Sequence, residues 1–231
     1  MYESTKTRLV RGADFDSTYF IGSVLDIGSG YDVVVPHAEA FDQQQGDANN
    51  ILEHLQPHSY DTVNSSHCLE HMHHPEKVLQ DWWQLVKPGG YLVTVVPHED
   101  LYEQGQWPSR FNSDHKATFR LDSSSWSPCS HDLLKLSEAL PGAQLISADI
   151  QDDNYNYDIM SMGEETDHSR IIRLRHSELI HRLLTRNLCS LPVLDELNLF
   201  MANLGATVDQ TIGSALAQIQ VIVRKSADDT V

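Results

Sequence analysis

The stretch Val24-Leu25-Asp26-Ile27-Gly28-Ser29-Gly30 constrains this chain more than any other. A short apolar run stopped by Gly-Ser-Gly is the pattern of a buried strand entering a tight turn. Glycine there lets the backbone take conformations, and accept close approaches, that a side chain would forbid. Further strands are expected at 38–41, at 61–65 and at 91–96, the last being the clearest buried run. Pro75 marks a helix start, with helix formers over 76–86, and Pro88-Gly89-Gly90 ends that segment. A helix over 131–139, a strand over 143–150, a helical stretch over 167–204 broken at Pro192, and a final strand over 215–223 complete the reading. Strands alternating with helices imply an α/β sheet that is mostly parallel, and such sheets bind ligands beyond the carboxyl ends of their strands.

The residues at those ends are acidic. Asp26 precedes the glycine turn. Asp42 ends the second strand, where a carboxylate can accept two ribose hydroxyl hydrogen bonds. Asp47, in Gly46-Asp47-Ala48, could accept from an adenine amino group. The dinucleotide fingerprint G-x-G-x-x-G fails, because Val33 stands where the third glycine belongs, and the phosphate loop G-x-x-x-x-G-K-[ST] is absent. An acidic set suited to a ribose and a base, without a phosphate cradle, points to a nucleoside cofactor that carries no phosphates.

With these residues in place, the sequence resembles the class I S-adenosylmethionine-dependent methyltransferases, particularly the small bacterial group classed as methyltransferase type 11. The resemblance runs through Val24 to Gly30, Asp42, Gly46-Asp47-Ala48, Tyr60 to His71, and Leu85-Val86-Lys87-Pro88-Gly89-Gly90-Tyr91-Leu92. It covers about residues 20–100 well and the last strand loosely. It implies a Rossmann-like fold with a seven-stranded, mostly parallel sheet whose last strand is antiparallel, and S-adenosylmethionine as cofactor. It also implies that Gly28 and Gly30 approach the cofactor's methionine end, with Asp26 and Ser29 also among the cofactor-binding residues, that Asp42 binds its ribose, and that Asp47 and Ala48 frame its adenine. Ser66 and His67 would line the cofactor or acceptor side. One departure is plain: only twelve positions separate Gly30 from Asp42, with Pro36 between, so the usual helix after the glycine turn gives way to a loop.

The richest polar stretch, Pro97 to Lys116, leaves the 91–96 strand at its carboxyl end, where an acceptor should face the methyl donor. His115, His98, Asp100 and Glu99 are the candidate bases, with His115 preferred, and Tyr102, Trp107 and Phe111 are candidate walls. Aromatic faces with carboxylates suit a sugar, and the stretch resembles its counterpart in methyltransferases of bacterial polysaccharide and glycan synthesis. His67, His71 and His74 would share one helical face, but Pro75 disfavours a helix at His74, and no H-E-x-x-H occurs, so no metal site is expected. Arg175, Arg182 and Arg186 share a face on the later helix and read as solvated, with Glu178 pairing Arg182.

Charge narrows the class further. Thirty-three acidic against 16 basic residues give −17, a surface that repels nucleic acid. No apolar run approaches a membrane span, and the first residues do not read as a signal peptide. Three cysteines, Cys68, Cys129 and Cys189, without metal-type spacing suit a reduced, cytoplasmic setting. The expectation is a single methyltransferase domain over 1–231, with an arm or lid over 1–20 and a helical insertion over about 151–212. It would transfer methyl to a small polar acceptor, a sugar or glycan precursor. The alternatives are a cofactor-binding but inactive subunit acting through a partner and a nicotinamide-dependent sugar-modifying enzyme. Self-association into a homodimer stays open.

Overall fold

The computed structural model describes residues 3–186 and 188–227. Its centre is a six-stranded sheet in the order β2-β1-β3-β4-β8-β7. The strands are β1 (Val24–Ile27), β2 (Glu39–Phe41), β3 (Tyr60–Ser66), β4 (Val86–Pro97), β7 (Ala143–Gln151) and β8 (Gln218–Lys225). The first four run parallel, and β8 inserts antiparallel between β4 and β7. The antiparallel last strand agrees with the sequence; the strand count is six and not seven. The reason is length. Only residues 42–59 link β2 to β3, and their sole regular element among the described residues is a 3-10 turn, Ala48–Glu53. No chain is left for an outer strand, so three-residue β2 is the edge. The loop expected between Gly30 and β2 is also seen: no helix forms there.

Alternation sorts the strands onto two faces. Leu25, Ile27, Leu92, Val96, Ile219, Val221 and Val223 join one apolar cluster, which α3 (Pro75–Leu85) and α4 (Leu133–Glu138) cover. Val24, Val93 and Ile222 point the other way, onto Phe20, Val34 and Val35. In α3, Pro75 takes the first helical position, where a missing N–H costs nothing, and Val78, Leu79, Trp82 and Trp83 are buried. Both indoles are satisfied: Trp82 Nε1 donates to the Ala48 carbonyl at 3.1 Å and Trp83 Nε1 to that of Pro141 at 2.8 Å. Truncating a buried tryptophan of this kind costs about 3–5 kcal/mol. β8, flanked on both sides, is buried at every position but Arg224, and its buried polar residues are bonded, as Lys225 Nζ is to the Trp83 and Val86 carbonyls at 2.9 and 3.0 Å.

The N-terminal arm is helical, with α1 (Glu3–Val10) and α2 (Phe15–Tyr19). Thr5 clasps Asp32 through its backbone N–H at 2.8 Å and its hydroxyl at 2.7 Å, and Lys6 Nζ donates to the Thr211 carbonyl at 2.5 Å. The segment between β7 and β8 carries α5 (Asp167–Thr185) and α6 (Leu191–Asn203), so the break expected at Pro192 falls just before it, with Pro192 in the first turn of α6. A short parallel pair, β5 (Thr118–Arg120) with β6 (Ser130–Asp132), was not legible in the sequence. No described helix is long and apolar enough to cross a membrane.

Candidate active site

The chain leaves β1 for β2 on one side and returns to β3 on the other, so a crevice opens beyond their carboxyl ends. Gly28 and Gly30 turn there at φ +75° and +55°. A Cβ on Gly28 would stand 2.6 Å from Cys68 Cβ and 2.7 Å from its Sγ, so only glycine fits. Asp26 is almost wholly buried and lines neither of the two cavities found here. Its carboxylate accepts the Val34 N–H and the Asn64 amide, both at 2.6 Å, and so holds the loop from behind. Burial pushes the Asp26 carboxyl up to about 6, against the pull of those two hydrogen bonds and of the Arg11 charge.

On one side of Gly28 lies a cavity of about 340 Å³ lined by Asp42, Asp47, Ala48, Met72 and His71, among others. Asp42 Oδ2 accepts the Gly30 N–H at 2.8 Å and Oδ1 the Gln43 N–H at 2.7 Å. Asp47 caps the following 3-10 turn through the Asn49 N–H at 2.9 Å, and the Asn49 side chain and backbone hold its carboxyl below the ordinary range. On the other side is a cavity of about 870 Å³, lined by Ser29, Gly30, Ser66, Ser4 of α1, and Leu184, Leu191, Leu194 and Ile212. Gly28 and His67 line both cavities.

His67 leaves β3 at φ +52°, its N–H bonded to the Val95 carbonyl at 3.0 Å. Its Nε2 meets Gln218 Oε1 at 2.8 Å. The Gln218 amide in turn donates to Thr7 and Gln151, so its oxygen must accept and His67 Nε2 must donate. Its Nδ1 faces Glu70 Oε1, 3.8 Å away.

The four bases expected after β4 line neither cavity. Glu99 is buried, with Oε2 accepting the Thr118 hydroxyl at 3.0 Å and that of Ser130, and so fastens β5 and β6 to the end of β4. Asp100 Oδ1 accepts the Trp126 indole N–H at 2.7 Å. His98 is buried, which lowers its pKa, and its Nδ1 accepts the Asp100 N–H at 3.1 Å. His115 is buried with Nδ1 on Glu103 Oε1 at 2.7 Å. Desolvation opposes its charge, but the Glu103 hydrogen bond and the charges of Glu70, Glu103 and Asp114 raise its pKa overall. Of the expected walls, Trp107 joins Trp126, Gln106, Glu164 and Glu165 around a separate cavity of about 400 Å³. Tyr102 instead packs on His115, with ring centroids 5.2 Å apart. The sequence reading passed over Glu70, because only the fold sets a histidine from position 115 beside it.

The residues present fit S-adenosylmethionine. The hydroxyls of Ser29 and Ser66 are buried without a hydrogen-bond partner, as donors awaiting a polar ligand would be, and a Cβ at Gly28 would collide with Cys68. Residues 21–127 match the sequence model of a methyltransferase domain. No curated protein matches the chain in sequence. Among solved structures, it is similar to a SAM-dependent methyltransferase from Archaeoglobus fulgidus, 18% identical, with a TM-score of 0.50 over 97% of this chain and 95% of that one. It is similar too to a SAM-dependent methyltransferase from Thermotoga maritima, 13% identical, with a TM-score of 0.50 over 97% and 88%. These structures share the fold, and the methyltransferase-domain match over residues 21–127, together with the glycine turn, supports a class I S-adenosylmethionine-dependent methyltransferase.

Proposed function

We propose that the enzyme methylates a small polar acceptor of the sugar or glycan-precursor class, held in the 870 Å³ cavity with its reacting atom beside His67. The observation that carries this reading is the junction itself: Gly28 and His67 are common to both cavities, so a cofactor spanning them would present its methyl group there. Bound S-adenosylmethionine supplies an electrophilic methyl group on a sulfonium. Asp42, Asp47 and Ala48 would hold its nucleoside, and Gly28, Ser29, Gly30 and Ser66 its methionine end, with Asp26 acting only through the loop. His67, fixed by Gln218, would align the acceptor, and alignment is most of what such a displacement requires. The Leu184, Leu191, Leu194 and Ile212 wall suits an acceptor with an apolar part.

The arm over 1–20 and the insertion over about 151–212 belong, in this reading, to one domain over 1–231. They close the acceptor side, as Ser4 and Leu191 in the cavity wall suggest. Free Cys68, Cys129 and Cys189 suit work in a reducing cytoplasm. The test has two stages. S-adenosylhomocysteine should raise the melting temperature while nicotinamide dinucleotides leave it unchanged, since a ligand bound only by the folded state stabilises it. Sugars, nucleotide sugars and lipid-linked glycans, with amines as the contrast, are then assayed for S-adenosylhomocysteine release. Methylation confined to amines would reassign the acceptor. Binding without turnover on any of them would favour a subunit that works through a partner.

A further inference from the structure

We propose that Glu70, His71 and His115 form a site for one divalent transition-metal ion of the zinc class, open toward the 340 Å³ cavity. Glu70 Oε1 stands 3.8 Å from His71 Nε2 and 4.0 Å from His115 Nε2. One ligand atom from each residue falls within 4.8 Å of the others. These separations are too long for hydrogen bonds. A small inward turn of the side chains would bring the three atoms to the spacing of ligands that share an ion at about 2.0–2.2 Å from each.

The outer contacts aim the nitrogens. His71 Nδ1 lies 2.9 Å from Asp114 Oδ2, and His115 Nδ1 lies 2.7 Å from Glu103 Oε1. A carboxylate can only accept, so each Nδ1 carries a proton, and each ring turns its Nε2 toward Glu70 as the nitrogen an ion would take. This carboxylate–histidine pairing is the usual support of metal-ligating imidazoles. Here it occurs twice, aimed at one oxygen. The Glu70 side chain is 2% exposed, and its Oε2 has no hydrogen-bond partner. Its backbone carbonyl accepts the Lys116 and Ala117 N–H groups at 2.7 and 3.2 Å, which binds the two halves of the site together across 44 residues of sequence.

Charge and ligand type narrow the occupant. Glu70, Glu103 and Asp114 concentrate three carboxylates, and Lys116 Nζ meets one of them, Asp114 Oδ1, at 3.0 Å. A dication offsets the remainder. Two imidazoles and one carboxylate favour zinc and its first-row neighbours over magnesium or calcium, which prefer all-oxygen sets. Three protein ligands leave a position for water or substrate, as in catalytic sites and unlike closed structural ones. His67 Nδ1, 3.8 Å from Glu70 Oε1, borders that position, and His67, His71 and Asp114 line the cavity through which an ion would enter.

The site rests on this cluster alone and stands whichever acceptor the enzyme takes. The full chain, stripped with chelator and dialysed, is titrated with Co²⁺ and with Zn²⁺. Expected are one ion per chain by elemental analysis, visible d–d bands with Co²⁺, and displacement of Co²⁺ by Zn²⁺. His71→Ala and Glu70→Gln should abolish stoichiometric binding. Asp114→Asn, at an exposed position that folding does not need, should weaken it about 10–100-fold. Circular dichroism confirms the fold of each variant. A folded wild type that retains no stoichiometric Co²⁺ or Zn²⁺ would overturn the proposal, as would folded His71→Ala and Asp114→Asn variants that bind like the wild type. Binding of S-adenosylhomocysteine is read on the same samples, so failure of the metal site is distinguished from failure of the methyltransferase reading.

Discussion

Asp42 and Gly30 are joined across the cofactor crevice: the carboxylate Oδ2 accepts the Gly30 N–H at 2.8 Å, while Oδ1 takes the Gln43 N–H. The carboxylate is thus oriented by the glycine turn it helps to hold, and its remaining lone pairs face the cavity. Asp42→Ala should weaken S-adenosylhomocysteine binding by about 1.5–3 kcal/mol, the range for hydrogen bonds to a charged group. Calorimetry at fixed salt reads this directly. Unchanged affinity would remove Asp42 from the ribose site.

Gly28 and Gly30 should respond differently to alanine. Both occupy the left-handed region, which costs an alanine roughly 1–2 kcal/mol. At Gly28 the new methyl also meets Cys68 at 2.6 Å, whereas nothing lies within 4 Å of a Cβ at Gly30. Gly28→Ala should therefore show the larger drop in melting temperature and the larger loss of cofactor affinity. Equal effects would mean that the backbone conformation alone is responsible.

Asp26 makes a pH prediction. Its pKa is raised by burial from 3.8 to about 6, a difference of about 3 kcal/mol. The folded state binds the proton more tightly than the unfolded chain does. The stability that proton contributes is full below about 3.8 and is lost as pH rises through about 6. Asp26→Asn, with Asn64 turning its amide to donate and accept in exchange, should lack this loss. The stability of the variant relative to wild type should climb between roughly pH 4 and pH 6 and then level off. Urea unfolding across that range measures it, and a difference independent of pH would refute the assignment.

His67 and Glu99 separate alignment from scaffolding. His67→Ala should lower kcat about a hundredfold while leaving S-adenosylhomocysteine affinity within a few-fold, because misplacing a reactant costs rate more than binding. Glu99→Ala should act on stability instead, by about 1.5–3 kcal/mol, since its carboxylate anchors the Thr118 and Ser130 hydroxyls. A Glu99 variant of native melting temperature with lost turnover would return that residue to the catalytic set.

The sequence by itself determined what local periodicity and spacing encode. The run from Val24 to Ile27 becomes a wholly buried strand, because four apolar or internally bonded residues before a glycine turn have few other ways to fold. Pro75 opens α3, and the loop after Gly30 has no room for a helix. The positions expected to meet the cofactor lie at strand and turn boundaries that local sequence marks: Gly28 follows β1, Asp42 follows β2, and Asp47 caps the 3-10 turn that Ala48 begins. The missing seventh strand was legible only in hindsight, in the shortness of residues 42–59.

Tertiary structure decided the chemistry beyond the cofactor. His98, Glu99, Asp100 and His115 look alike in sequence as polar residues after a strand, yet three of them are turned to partners brought from elsewhere: Thr118 and Ser130 for Glu99, Trp126 for Asp100, Glu103 for His115. Glu70 and His115 meet only because the backbone of 116–117 hydrogen-bonds to the Glu70 carbonyl. Pairings over such separations are set by how the whole sheet and its loops pack. A strand's pattern of apolar and polar residues fixes which face is buried, but carries no information on which distant side chain will complete a buried hydrogen bond.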